Sequence, residues 1–176
     1  IQCLFVRQPE QKGLGHAVLC AERAVGNEPF AVLLADDFIT YEGAGVTADL
    51  VQAFKLSGKT QLSILEVSGP EISEYGIIVP DQKVGLVAGL LEKPPATEAP
   101  SNMASIGRYV LTPDIFDILR LQPAGAGGEI QLSDAINVQA KNNAVEAVKL
   151  NGHRFDCGSV PGYLDAIKHV AEKRKL

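Results

Sequence analysis

The chain has 176 residues, 46% hydrophobic and 21% charged, the balance of a folded domain that buries one sizeable core. A net charge of -5 without a long basic run argues against a nucleic-acid partner, and no segment reaches the roughly 18–20 apolar residues of a membrane helix. Without a basic segment leading into an apolar run and a cleavage site, the expectation is a cytoplasmic protein of one domain over residues 1–176.

In chain order, the apolar run of residues 1–7 predicts a buried strand, and its abrupt start without Met suggests a boundary cut through a larger protein. Residues 14–25 read as a helix after the turn Pro9–Gly13, with Leu14, Val18 and Leu19 near helical spacing. Phe30 to Ala35 is a continuous apolar run, expected as a fully buried parallel strand, and it ends in Asp36 and Asp37. Thr47 is read as the N-cap of a helix closed by Ser57 and Gly58, followed by a strand over 61–67. Residues 76–92 have the pattern of a hairpin about Pro80–Lys83. Beyond a polar, Pro-rich loop at 94–102, residues 104–111 predict a strand, and Thr112–Pro113 an N-cap with Pro at the first helical position. A glycine loop at 125–128, a helix ending at Lys141, a strand over 145–150 and a helix over 163–173 complete the chain. The alternation predicts a three-layer α/β sandwich with a Rossmann-like mixed sheet, mostly parallel.

The three cysteines, Cys3, Cys20 and Cys157, are odd in number and lack C-x-x-C spacing, so they read as free thiols. His16, His153 and His169 share no metal-ligand spacing, and no Ser or Cys has the context of an activated nucleophile. Gly13-Leu14-Gly15, between a strand and a helix, allows either close backbone approach to a ligand or a structural turn, the commoner case. Asp36 and Asp37 at a strand mouth need a cation or ligand donors, or serve as turn caps; Mg²⁺, which takes one or two carboxylates with phosphate oxygens and water, suits Asp36. Asp156 is the candidate second acid, with a turn cap as the alternative. Glu92-Lys93-Pro94 ends a strand with an acceptor for hydroxyls and an ammonium for phosphate, or forms a solvated surface ion pair.

In order, Lys12-Gly-Leu-Gly-His-Ala-Val18, Leu34-Ala-Asp-Asp37, Tyr75-Gly76, Glu92-Lys-Pro94, Ser105-Ile-Gly-Arg-Tyr-Val110, Gly128-Glu-Ile-Gln-Leu-Ser-Asp-Ala-Ile136 and Asp156-Cys-Gly158 run nearly end to end. Together they resemble the sugar-1-phosphate nucleotidylyltransferases of bacteria, in particular the UTP–glucose-1-phosphate uridylyltransferase kind. The resemblance implies the nucleotide-diphospho-sugar transferase fold and uridylyl transfer from UTP to glucose 1-phosphate, giving UDP-glucose and pyrophosphate. It also implies Mg²⁺ on Asp36 and Asp156, Lys93 on the phosphates, Glu92 on glucose hydroxyls and Gln8 with the Gly13 backbone on the uracil edge. Gly76 and Gly107 would bring backbone close to the sugar, where a side chain would clash. Asp36 and Lys93 are the catalytic candidates, while Asp37, Glu129 and Gln131 lie in family motifs without an assigned role. The full-length enzyme is expected to be a homo-oligomer.

The family's glycine-rich triphosphate loop of form G-x-G-T-R does not occur in residues 1–176. The expectation is therefore the later, N-terminally truncated part of one catalytic domain, weakly active or inactive alone. A thymidylyl-type nucleotidylyltransferase and a non-catalytic sugar-nucleotide binding module are the rival readings. A nicotinamide-dependent dehydrogenase is disfavoured by the incomplete G-x-G-x-x-G, which has Val18 at its last position.

Overall fold

The structure, a computed structural model, describes residues 2–175. Its centre is two long strands, β3 (Thr60–Glu66) and β6 (Met103–Leu111), buried over most of their length. The sheet order is β5-β4-β6-β3-β7, with β1 also on β6; β1 is Phe30–Leu33, β4 Gly76–Pro80, β5 Val87–Glu92 and β7 Val145–Lys149. A separate ribbon joins β2 (Asp37–Tyr41) to β8 (Gly152–Asp156).

The side-chain period of two along β3 and β6 divides the core between two faces. Leu62, Ile64, Tyr109 and Leu111 pack with α1 (Gly13–Cys20), α4 (Ile115–Leu121) and α5 (Leu132–Lys141), through Val18, Ile115, Phe116, Leu119, Leu132 and Ile136. Positions of the opposite parity, Leu65 and Ile106, pack with Val46 of α3 (Val46–Ser57) and with Leu150. The three layers expected from the sequence are present. A short helix α2 (Glu22–Val25) follows α1, and α6 (Val160–Arg174) lies against β8.

The α/β mixed sheet is as expected, but among the described residues β3 with β7 is the parallel pairing, and β1, β3 and β4 all run antiparallel to β6. A hairpin fixes β4 and β5 antiparallel, and β6 returns between β4 and β3; apolar runs carry no sign of direction. β1 is therefore not the fully buried parallel strand expected of Phe30 to Ala35. It stops at Leu33, with Phe30 and Val32 half-buried and Ala31 and Leu33 exposed.

Residues 2–7 form no strand, and Leu4, Phe5 and Val6 are exposed; Ile1, the first of that apolar run, lies outside the described residues. A strand needs a neighbour's backbone as well as apolar side chains, and among the described residues none pairs with this run. Three helix starts also shift. α3 begins at Val46 after Gly45 and ahead of Thr47, while Thr112–Pro113 forms a turn before α4, with Ile115 N–H donating to Thr112 O at 3.2 Å. α6 starts at Val160, capped by the Ser159 hydroxyl, which accepts from Gly162 N–H at 3.2 Å.

Two polar contacts fix α5 on the sheet. Buried Gln139 accepts from the Thr60 hydroxyl at 2.9 Å and donates to Thr112 Oγ1 at 2.8 Å and Asp114 Oδ2 at 3.0 Å. Asn137 grips the edge strand β5, accepting from Leu90 N–H at 2.6 Å and donating to Leu90 O at 2.9 Å. Both bury amide groups only where each has partners, the condition under which such groups are tolerated.

Candidate active site

The ladder along one edge of β6 is interrupted. β1 pairs as far as Leu33↔Arg108, β4 pairs at Ile77↔Ala104, and residues 105–107 between them have no strand neighbour on that side. Over this gap lies a cleft of about 400 Å³. Asp36, Gly76, Glu92, Lys93, Gly107 and Asp156, six of the candidate residues, line it together.

The two adjacent acids part company. Asp36 lies exposed in the turn after β1, whereas Asp37 opens β2 and is 4% exposed. Asp37 Oδ2 accepts from the Gly107 N–H, which the missing ladder would leave unpaired, and its Oδ1 accepts from Arg154 Nε. Asp37 faces Asp156 across the β2–β8 ribbon, so the end of this ribbon holds both acids of the proposed metal pair at the cleft. The main chain adds a tie, with Cys157 N–H donating to Asp36 O at 2.8 Å. A Cβ on Gly158 would stand 3.1 Å from Asp156 Oδ1 and 3.2 Å from Asp36 Oδ2, so the two carboxylates converge on the same small space.

Arg154 was not singled out from the sequence, yet it is central. Its side chain is 12% exposed; besides Asp37 it donates through Nη1 to the Tyr75 hydroxyl at 2.6 Å, and Nη2 lies 3.9 Å from Asp156 Oδ1. Burial works against its charge, but the Asp37 carboxylate overrides this, so its pKa is raised and it stays a cation. Burial likewise raises the Tyr75 phenol, with Arg154 opposing and Glu71, Asp156 and Glu74 reinforcing. Tyr109, on the cleft floor, is pushed up to about 12, first by burial; the Ser105 hydroxyl opposes this, and Asp37 and Glu92 add to it. Ser105 Oγ acts on Tyr109 at close range, yet it closes no hydrogen bond of ordinary geometry and is buried without a partner. Tyr75 stands in the quoted Tyr75-Gly76 segment without an assigned role, and the sequence signal for Arg154 is faint, an Arg beside an aromatic residue on a short strand.

Gly107 has a steric reason to be glycine. A Cβ there would collide with Asp37 Oδ2 and stand 2.6 Å from Leu34 Cβ. At Gly76 a Cβ would be 3.3 Å from Glu92 Oε2. Lys93 takes a left-handed backbone, φ 45°, with its N–H donating to Tyr75 O at 3.0 Å. A non-glycine residue held there carries strain of about 1–3 kcal/mol, a cost met mainly at functional positions.

Gln8 and Gly13 are brought together, Gln8 Nε2 donating to Gly13 O at 3.1 Å and lying 3.0 Å from His16 Nδ1. They sit beside the cleft, into which the next residue, Leu14, projects. Gly13 and Gly15 make room for residues 129–131: a Cβ on Gly13 would be 2.8 Å from Glu129 Cβ, and one on Gly15 2.7 Å from Ile130 O. Gln131 lines the cleft, and Glu129 braces it by accepting from Gln131 Nε2 at 2.9 Å.

Residues 1–173 match the family model described as nucleotidyl transferase. The chain belongs to the nucleotidyl transferase family. It is 46% identical over 172 residues to a UTP–glucose-1-phosphate uridylyltransferase of Pseudomonas aeruginosa, covering 96% of this chain and 62% of that one. A second such protein, from Staphylococcus saprophyticus, is 47% identical, covering 96% of this chain and 59% of the other. This nucleotidyl transferase chain thus spans about three-fifths of the length of the curated relatives it matches. A UDP-glucose pyrophosphorylase crystallised with UDP-glucose superposes with a TM-score of 0.90 at 42% identity, covering 96% and 65% of the two chains. A thymidylyltransferase structure from Bacillus anthracis, 22% identical with a TM-score of 0.74, covers 89% and 61% and shares the fold. Among the described residues, no three His, Cys, Asp or Glu side chains cluster as a metal site, and no helix is long and apolar enough to cross a membrane. The three cysteines are free, Cys3 exposed and Cys20 and Cys157 half-buried.

Proposed function

We propose that this chain supplies the sugar and metal side of a site that transfers uridylyl from UTP to glucose 1-phosphate. The observation that carries the reading is the convergence of Asp36 and Asp156 at one end of a cleft also lined by Gly76, Glu92, Lys93 and Gly107. The identity to UTP–glucose-1-phosphate uridylyltransferases, at 46–47%, favours uridylyl over thymidylyl transfer.

In the reaction, a phosphate oxygen of glucose 1-phosphate attacks the α-phosphorus of UTP, a new P–O bond forms, and the bond to the β-phosphate breaks to release pyrophosphate. The protein's share is positioning and charge neutralisation. Lys93, on its strained backbone, offers an ammonium to the phosphates. Glu92 accepts from sugar hydroxyls, and the glycines at 76 and 107 let the sugar approach the main chain. Two carboxylates without a third protein ligand fit Mg²⁺, which keeps waters and takes phosphate oxygens as its other ligands. Bound there, the ion would neutralise phosphate charge. Gln8 and the Gly13 backbone form the base side of the site. On this reading the partners are UTP, glucose 1-phosphate and UDP-glucose, in the cytoplasm, and the whole enzyme is a homo-oligomer that acts on neither nucleic acid nor membrane.

Calorimetric titration with UDP-glucose, with and without Mg²⁺, tests the reading. Binding that Mg²⁺ strengthens, and that Asp36→Ala and Lys93→Ala each weaken by at least about tenfold, is the expected result. Binding indifferent to both substitutions would refute it.

A further inference from the structure

We propose that Arg154 is a positioning residue, a strut that sets the distance between the two glycine walls of the cleft. The strut is read from geometry alone; calling the space between the walls a sugar subsite rests on the function proposed above.

The walls belong to different parts of the sheet. One is β6 at Gly107; the other is the start of β4 at Gly76 with Lys93, the residue that follows β5. The β4–β6 pairing at Ile77↔Ala104 joins them at one margin of the gap, but among the described residues no strand ladder continues from there across 105–107. Arg154 reaches both. Its Nε donates to Asp37 Oδ1, and the other oxygen of that carboxylate accepts from Gly107 N–H. Its Nη1 donates to the Tyr75 hydroxyl at 2.6 Å, with the guanidinium carbon 5.2 Å from the Tyr75 ring centroid. Tyr75 immediately precedes Gly76, and its carbonyl accepts from Lys93 N–H at 3.0 Å. One chain of contacts therefore runs from Gly107 through Asp37, Arg154 and Tyr75 to Gly76 and Lys93.

A guanidinium suits this position because its donors are fixed in one plane, so a contact at one end constrains the other; an ammonium on a flexible stem cannot hold both ends at set separation. Burial strengthens the constraint. With the Arg154 side chain 12% exposed and that of Asp37 4% exposed, water is a poor substitute for either partner. The strut touches no reacting atom. It acts through the two backbones it spaces and through Asp156, 3.9 Å from Nη2, which it helps to orient.

The test is whether cutting the strut at one wall is felt at the other. In the ligand-free chain, amide hydrogen exchange followed by NMR should show Tyr75→Phe, which keeps the ring and deletes only the hydroxyl, speeding exchange of the Gly107 N–H by about tenfold. Amides of β3 and β7 should be unchanged. Arg154→Lys should give the same result, since the retained charge cannot span both ends. Unchanged Gly107 exchange in both variants would overturn the proposal, because the walls would then be held independently.

Titration with UDP and with UDP-glucose adds a second reading. Tyr75→Phe is expected to weaken UDP-glucose by about tenfold and UDP by less than about twofold. Equal losses for both ligands would refute a role in spacing the sugar subsite. A wild-type chain that binds neither ligand would count against the proposed function, while the strut would still stand or fall on Gly107 exchange.

Discussion

Gly107→Ala is the substitution the cleft should tolerate least. The added Cβ would overlap Asp37 Oδ2 and lie 2.6 Å from both Cβ and Cγ of Leu34. None of these atoms is the free end of a flexible chain. Leu34 is tied by its own N–H, which donates to Gly107 O at 2.9 Å, and the Asp37 carboxylate is held by Arg154. Overpacking of a fixed site costs about 1–3 kcal/mol, and displacing Asp37 forfeits a hydrogen bond to a charged group worth about 1.5–3 kcal/mol. The expected loss is about 3–5 kcal/mol, a fall in Tm of roughly 6–20 °C for a chain of this size. Differential scanning calorimetry reads this directly, and a control lies two residues away on the same strand. Ser105→Ala deletes a buried hydroxyl that has no hydrogen-bond partner, so it should move Tm by less than about 2 °C. A Gly107→Ala chain melting within about 2 °C of wild type would refute the steric argument and with it the reason offered for glycine there.

Gln139→Leu removes the shared partner of Thr60, Thr112 and Asp114, and should cost about 1–3 kcal/mol in urea unfolding; the remaining 3.2 Å contact between Thr60 and Thr112 hydroxyls limits the loss. Tyr109, pushed up to about 12 in the folded chain against an ordinary 10.0, contributes stability that is full below pH 10 and lost as pH rises through 12. Tyr109→Phe should therefore flatten the fall in stability across that alkaline window, by about 2–3 kcal/mol, and an unchanged slope in pH-dependent denaturation would contradict the burial of the phenol. Asp36→Asn and Asp156→Asn should each weaken Mn²⁺ binding in the presence of UDP-glucose by at least about tenfold, as followed by electron paramagnetic resonance.

The elements legible in the sequence were those whose burial is written in their own residues. The apolar runs of β3 and β6 fall within a residue of expectation, and the hairpin is present, with its turn at 81–86 rather than Pro80–Lys83 because Pro80 stays in β4 and pairs with Val87. Misreadings arose where the outcome depends on a neighbour. The apolar run at residues 2–7 looks as strand-like as β3, but without a partner strand its Leu4 and Phe5 stand in solvent. The ribbon strands β2 and β8 went unread because Asp37–Tyr41 and Gly152–Asp156 are short and half-buried, with charges at their ends. With the ribbon unread, the role of Asp37 stayed open, since its inward place depends on β2 bringing it against Gly107 and Arg154. Arg154 was invisible for the same reason, as a charged residue on an unrecognised strand reads as surface.

The interruption of the β6 ladder links fold and chemistry. A buried strand edge without a neighbour leaves backbone donors that must find other partners, and at Gly107 the Asp37 carboxylate supplies one. A buried carboxylate in turn requires a counter-charge, which Arg154 provides from the facing strand. Asp37 is thereby committed to Gly107 and Arg154, while Asp36, in the turn before β2, stays exposed at the cleft with its carboxylate near that of Asp156 at the end of β8. The gap in the ladder thus also decides which acid is taken up by the main chain and which stays free at the cleft. A side chain at Gly107 or the loss of Arg154 would disturb the Asp36–Asp156 end of the cleft and its glycine walls together.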